Sequence, residues 1–101
     1  MRSDRKLHLY RAVLTLAQLV RMKANDSGGV GNSEIAQYVG VSRQTVNKVM
    51  QEAATRGYVN ISLVTWRPGV MAKRYTPTEF YWTECHEHFV WYVNWKLFGD
   101  V

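Results

Sequence analysis

Residues 33–50 read SEIAQYVGVSRQTVNKVM, and this stretch decides the fold. Apolar side chains at Ile35, Ala36 and Val39 recur at helical spacing, which predicts a short helix with one buried stripe. Gly40 stands where the chain must turn sharply, and glycine adopts positive φ without strain. Ser42 is a natural N-cap for a following helix. The stretch therefore predicts two helices joined by a tight turn.

The second of these helices has a polar outward face without an acidic residue. Val46, Val49 and Met50 give it an inward face at helical spacing. The outward side chains, several of which can donate hydrogen bonds, are Ser42, Arg43, Gln44, Thr45, Asn47, Lys48 and Gln51. This chemistry is typical of a helix that contacts base edges and phosphates in a major groove. The alternative is a pair of packed helices with an ordinary solvated face.

The chain has 101 residues, which suits one domain with a modest core. Its formal net charge is +5, and the positive charge is unevenly distributed. Residues 1–77 hold twelve basic and four acidic side chains, whereas residues 78–101 hold one basic and four acidic ones. Such a balance favours a polyanionic partner without identifying it.

Cys85 is the only cysteine, so no intrachain disulfide can form, and a reducing compartment is expected. The first residues lead into a charged amphipathic stretch rather than an apolar one, so we expect no signal peptide. No apolar run approaches the length of a membrane span. We therefore expect the protein in the cytoplasm of a bacterium, an archaeon or a virus-infected cell, without a membrane partner.

The hydrophobic periodicity changes along the chain in a way that predicts one mainly α domain with a small β-hairpin, an α+β class. Thr76, Pro77 and Glu79 fit a capping box with a proline in the first turn, which predicts that the last helix begins there. The predicted elements within domain 1–101 are a helix at 4–24, the helix pair at 33–56, a hairpin at 58–76 and a helix at 77–98.

Both terminal helices carry more apolar surface than one small domain can bury. We therefore expect them to pair between two subunits, through Leu9, Val13, Leu16, Phe89, Tyr92, Val93 and Trp95. A membrane-surface anchor is less favoured, because Lys96 is the only cation in the aromatic run. A ligand pocket is a further alternative for this run.

Other chemistry in the sequence is weak. Residues 84–88 read ECHEH, but no second cluster completes a tetrahedral metal set, and a polar seam on the helix is the better interpretation. The glycine-rich loop at 25–31 lacks the pattern of a phosphate-binding loop. No nucleophile and base are convincingly paired. We therefore expect no metal, no cofactor and no enzymatic activity.

Residues 5–77 resemble the winged helix-turn-helix proteins. The resemblance rests on the helix pair, on RGYV at 56–59 and on the hairpin that ends KRYT at 73–76. With long helices at both ends, the chain is similar to small dimeric MarR-like regulators. The resemblance implies that the second helix of the pair enters a major groove, while Arg67, Lys73 and Arg74 of the hairpin contact the DNA backbone or minor groove.

The resemblance implies a homodimer that binds double-stranded DNA at a pseudo-palindromic site and regulates transcription, with no effector identified. One alternative is a winged-helix protein-interaction module, for example a viral protein acting on host machinery. Another is a DNA-binding replication or partition protein of a phage or plasmid. The basic, acid-free face of the second helix favours DNA, because an interaction module does not need it.

Overall fold

The computed structural model describes residues 5–23 and 29–99, apart from the side chain of Trp66. Within these residues the chain is mainly helical with one two-stranded antiparallel sheet, so the predicted α+β class is confirmed. The elements are α1 (Arg5–Met22), α2 (Asn32–Val39), α3 (Arg43–Thr55), β1 (Val59–Arg67), β2 (Val70–Pro77), a π-helical turn (Tyr81–Cys85) and α4 (His86–Phe98). Residues 4 and 24–28 of the predicted first helix and loop lie outside the described residues.

The turn between α2 and α3 lies where the sequence places it. Gly40 has φ of 82°, and its amide donates to the Ala36 carbonyl at 2.8 Å. Ser42 caps α3, because its Oγ accepts a hydrogen bond from the Thr45 amide at 3.1 Å. The left-handed Gly40 ends α2, and the Ser42 cap starts α3 within three residues. Together they fix the direction in which α3 leaves α2.

The hairpin joins β1 and β2 through a two-residue turn at Pro68 and Gly69. A short bridge between Val30 and Tyr75 ties the segment before α2 to β2. Gly29 precedes this bridge with φ of 77°, and a Cβ there would lie 2.9 Å from the Tyr75 carbonyl oxygen. Glycine is therefore required at position 29 by both the backbone conformation and the close approach of β2.

The last helix begins later than the capping box predicted. Thr76 pairs with Asn60 in the ladder of the hairpin, so its backbone is extended and it caps nothing. The cap is Thr78, whose Oγ1 accepts from the Tyr81 amide at 3.0 Å and donates to the Gly57 carbonyl at 2.7 Å. The ladder continues to Pro77 because Val59 is its partner there, and this continuation displaces the start of the helix.

The core is built around α1, which contacts α2, α3, α4 and β2. Val13 and Leu16 of α1 are fully buried, as are Val46 and Met50 of α3. On the side of α4, the Tyr10 ring stacks on Phe89 with 3.7 Å between ring centroids and 13° between planes. The helix α1 therefore connects the hairpin and helix pair on one side with α4 on the other.

The side chains predicted for a dimer interface lie mostly inside this packing. Five of the seven predicted side chains are buried in the core of the single chain: Leu9, Val13, Leu16, Phe89 and Val93. The terminal helices α1 and α4 contact each other within one chain, and this contact accounts for the burial of these side chains. Tyr92 is half-buried and Trp95 is exposed, so these two remain at the surface.

In the described ranges 5–23 and 29–99, no helix is both long enough and apolar enough to cross a lipid bilayer.

Candidate nucleic-acid interface

A cleft of about 980 Å³ lies between the start of α2, the outward face of α3 and strand β2. It gathers side chains that are far apart in the sequence. Six of the ten predicted DNA-binding residues line it: Arg43, Gln44, Asn47, Lys48, Lys73 and Arg74. The helix face and the returning strand of the hairpin therefore form one continuous surface.

The helix α3 presents its share of the cleft through simple periodicity. Residues 43, 44, 47 and 48 follow one another at spacings of one, three and one, which places them on one side of an α-helix. Val46 and Met50 are buried on the opposite side, which fixes the rotation of the helix about its axis. Arg43, Gln44 and Lys48 are exposed as a consequence.

Lys73 of β2 bonds directly to α3. Its ammonium donates to Oδ1 of Asn47 with 2.8 Å between Nζ and Oδ1, and both side chains are half-buried. This contact joins two elements separated by 26 residues. A charge-assisted hydrogen bond of this length is a strong one, so the strand holds a defined position against the helix.

Glu34 forms a second junction on the other side of the cleft. Its carboxylate pairs with Lys23 just after α1, accepts from the Gly31 amide at 3.4 Å and pairs with Arg74 of β2 at 3.3 Å. Partial burial raises the pKa of Glu34, but the hydrogen bonds from Lys23 and Gly31 and the charges of Lys23 and Arg74 together hold it below its usual range. Glu34 is therefore ionised at neutral pH.

The cleft has a clear excess of positive charge. Arg43, Lys48, Lys73 and Arg74 face it, and Glu34 is the only carboxylate among the described residues that line it. The charge of Glu34 is already compensated by Lys23 and Arg74. The side chains of Arg43, Gln44 and Lys48 make no hydrogen bond or ion pair with other described residues, so their donors are available to a ligand.

The other four predicted residues lie outside the cleft lining. Ser42 and Thr45 bond to each other through their hydroxyls at 3.0 Å, so both belong to the cap of α3. Gln51 lies one turn further along α3, and Arg67 lies at the exposed end of β1 beside the turn. These positions border the cleft surface along the helix and at the hairpin tip.

The helix α2 also contributes to the cleft, which its sequence did not predict. Asn32, Ser33 and Glu34 line the cleft at the start of this helix. Asn32 accepts from the Tyr75 hydroxyl with 2.6 Å between the oxygens, and burial raises the pKa of Tyr75 despite this hydrogen bond. The polar run after Gly31 was the available signal, but its neighbours on β2 are about forty residues away.

Within the ECHEH segment Cys85 is buried and His86 is half-buried, whereas the other three side chains are exposed. His86 is bonded to the Tyr81 hydroxyl with 2.6 Å between Nδ1 and the oxygen, and Cys85 is buried. Burial and the Arg21 charge hold the pKa of His86 below its usual value. Across the described residues, no three His, Cys, Asp or Glu side chains are grouped in a way that could hold a metal ion.

The chain matches no protein-family model, no curated protein and no solved structure. The function of the cleft therefore has to be inferred from its own geometry and charge.

Proposed function

We propose that this chain is a winged-helix protein that binds double-stranded DNA in a sequence-specific manner, with α3 in the major groove and the hairpin as its wing. The observation that carries the proposal is one cleft that brings together the cations of β2 and donors of α3 that have no partner among the described residues. The helix α3 has 13 residues and is about 20 Å long at 1.5 Å per residue. A major groove about 12 Å wide accepts such a helix.

The proposed contacts follow from position. Arg43 and Gln44 lie at the N-terminal end of α3. In a recognition helix this end reaches the base edges, where arginine pairs with guanine and glutamine with adenine. Lys48 lies one turn further and suits a phosphate. Arg67 at the hairpin tip suits a minor groove, while Ser42, Thr45 and Gln51 border the backbone at either end of the helix face.

A binding selection from a random duplex pool tests the proposal. The wild type is expected to enrich one motif, and Arg43→Ala is expected to lose discrimination at one base position. Arg5→Ala is the matched control, because Arg5 is an exposed arginine of α1 outside the cleft. Absence of any enriched motif for the wild type at low salt would refute base-specific binding.

We further propose that the active species is a homodimer that regulates transcription. The exposed face of α4 suits a second copy, because Trp91 and Trp95 lie one turn apart on it. A pair of α4 helices in contact through this face would cover both rings. Trp91 is 59% exposed and stacks on Trp95 with 5.7 Å between ring centroids. Half-sites would then lie about 34 Å apart, one turn of DNA.

Sedimentation tests this interface. Trp91→Ser is expected to shift the protein from dimer to monomer while its helical circular dichroism is retained. Tyr38→Ser is the control, because Tyr38 is a similarly exposed aromatic residue on α2. A wild type that sediments as a monomer at every soluble concentration would refute the dimer and leave DNA binding to be judged separately.

The same aromatic face supports a second candidate function, a winged-helix module that binds another protein. Trp91, Leu97 and Phe98 are exposed on α4, and a partner could cover them instead of a second copy. A stable heteromeric complex in pull-down, together with no DNA binding at low salt, would favour this function. A DNA-binding role in phage or plasmid replication or partition would use the same cleft and would differ in where the bound sites lie.

A further inference from the structure

The hydrogen bond between Lys73 and Asn47 constrains which atoms the cleft can offer to a base. A lysine ammonium has three donors and no acceptor. Asn47 must therefore accept through Oδ1, as it does at 2.8 Å. The amide nitrogen of Asn47 and the two remaining N–H bonds of Lys73 are then donors left for a ligand, while the second lone pair of Oδ1 lies beside the ammonium charge.

We infer that Lys73 and Asn47 act as one composite reader of guanine. This inference rests on the proposed DNA binding and names the base that this part of the cleft selects. Guanine presents two adjacent acceptors, N7 and O6, in the major groove. The paired donors of Asn47 and Lys73 match that edge without breaking their own hydrogen bond.

The hydrogen bond with Lys73 reverses the ordinary base preference of the Asn47 side chain. A free asparagine side chain pairs with adenine, donating to N7 and accepting from the N6 amino group. In this protein Oδ1 already holds the ammonium of Lys73. An adenine amino group brought to the same oxygen would place its partly positive hydrogens against a full positive charge. Adenine is therefore disfavoured at the position that Asn47 faces.

Both partners of the hydrogen bond are held by fixed elements. Asn47 lies on α3 next to the buried Val46, which fixes the helix against the core. Lys73 is paired with Leu63 in the hairpin ladder, and its neighbour Arg74 is anchored on Glu34. The hydrogen bond is therefore a preorganised feature of the cleft rather than a chance meeting of two mobile side chains.

Lys48 provides a contrast within the same cleft. It is exposed on α3, and in the described part of the chain it has no bonded partner. Lys48 suits a phosphate contact, which adds affinity without sequence information. Methionine keeps most of the length of a lysine side chain and removes its charge. We therefore expect different results when Lys73 and Lys48 are each replaced by methionine.

The test is selection from a random duplex pool with the wild type, Lys73→Met and Lys48→Met. The wild type is expected to prefer guanine at one position. In Lys73→Met the preference at that position should change to adenine, because Oδ1 of Asn47 no longer lies beside a positive charge. The ratio of guanine to adenine affinity at that position should shift by about tenfold or more, the size of one bidentate contact. Lys48→Met should weaken binding to all duplexes and leave every base preference unchanged.

The possible failures are distinguishable. If the wild type enriches no motif, the proposed DNA binding fails and this inference fails with it. If the wild type enriches a motif that Lys73→Met leaves unchanged, DNA binding stands and the composite reader is wrong. If Lys73→Met does not bind DNA at all, the same selection is made with Asn47→Ala. A guanine preference that persists at the same position in Asn47→Ala overturns the inference, and loss of that preference supports it. Circular dichroism of each variant checks that it is folded.

Discussion

Replacing Glu34 with glutamine should loosen the junction of α1, α2 and β2. Glu34→Gln keeps the size of the side chain and an oxygen for the Gly31 amide, but it removes the charge that pairs with Lys23 and Arg74. The three side chains are between 31% and 35% exposed, so solvent screens both ion pairs. Two such pairs together contribute about 1 kcal/mol, which lowers Tm by about 4–8 °C for a domain of this size.

The pKa of Glu34 determines how the stability difference between the wild type and Glu34→Gln changes with pH. The pKa of Glu34 is lower in the folded chain than its ordinary value of 4.5, so the folded state favours the ionised form. The stabilisation is therefore complete above that ordinary value and is lost as the pH falls through the lowered folded pKa. Glu34→Gln lacks this contribution at every pH, so the two proteins should differ most at neutral pH and converge in acid.

Urea unfolding followed by circular dichroism at several pH values measures the difference. Glu52→Gln is the matched control, because Glu52 of α3 pairs at 3.4 Å with Arg56, the residue just after this helix, and both side chains are more exposed. That variant should lose about 0.5 kcal/mol or less. A Glu34→Gln curve that runs parallel to the wild type down to acid pH would refute the reasoning.

Three further variants test other parts of the fold. Gly29→Ala should cost about 1–3 kcal/mol, because a Cβ would lie 2.9 Å from the Tyr75 carbonyl oxygen at φ of 77°. Faster hydrogen exchange at the Val30 and Tyr75 amides would show it, and unchanged exchange would contradict it. Phe89→Ala should cost about 3–5 kcal/mol in urea unfolding, since the ring is 1% exposed and stacked on Tyr10. Ser42→Ala should cost about 1 kcal/mol in thermal unfolding through loss of the α3 cap, whereas an unchanged Tm would argue against that cap.

The helix pair was predictable because its signals are local. Gly40 ends α2 through a hydrogen bond to Ala36, and Ser42 caps α3 through a hydrogen bond from Thr45, so both contacts span four residues or fewer. The same is true of the glycines that end α3 and α4. Local backbone preferences and caps act before tertiary contacts form, so a single sequence carries them.

The start of the last helix was not predictable in the same way. Thr76 and Thr78 both precede good helix residues, and only the pairing of β2 with β1 decides between them. The π-helical turn has a counterpart in the spacing of the apolar residues. Buried residues fall at every fourth position through Tyr81, Cys85, Phe89 and Val93. In an α-helix that spacing drifts by about 40° at each step, and a wider turn reduces the drift.

The pairings that build the candidate interface were also beyond the sequence. Lys73 and Arg74 were expected on a strand that contacts DNA, yet each bonds to another part of the chain, Asn47 and Glu34 respectively. The terminal helices were expected to pair between subunits because both are rich in apolar residues. Apolar content measures how much surface needs covering, but it does not distinguish a partner in the same chain from one in another.

The buried thiol gives this protein its own reporter of local opening. Cys85 is the only cysteine of the chain, and it is buried. Burial, and to a smaller extent the nearby charge of Glu84, raises the pKa of its thiol. A thiol reagent should therefore react slowly with the folded protein and only when the final helix separates from α1. The reaction rate would time that separation without any added label, and it could be followed while DNA is titrated into the same sample.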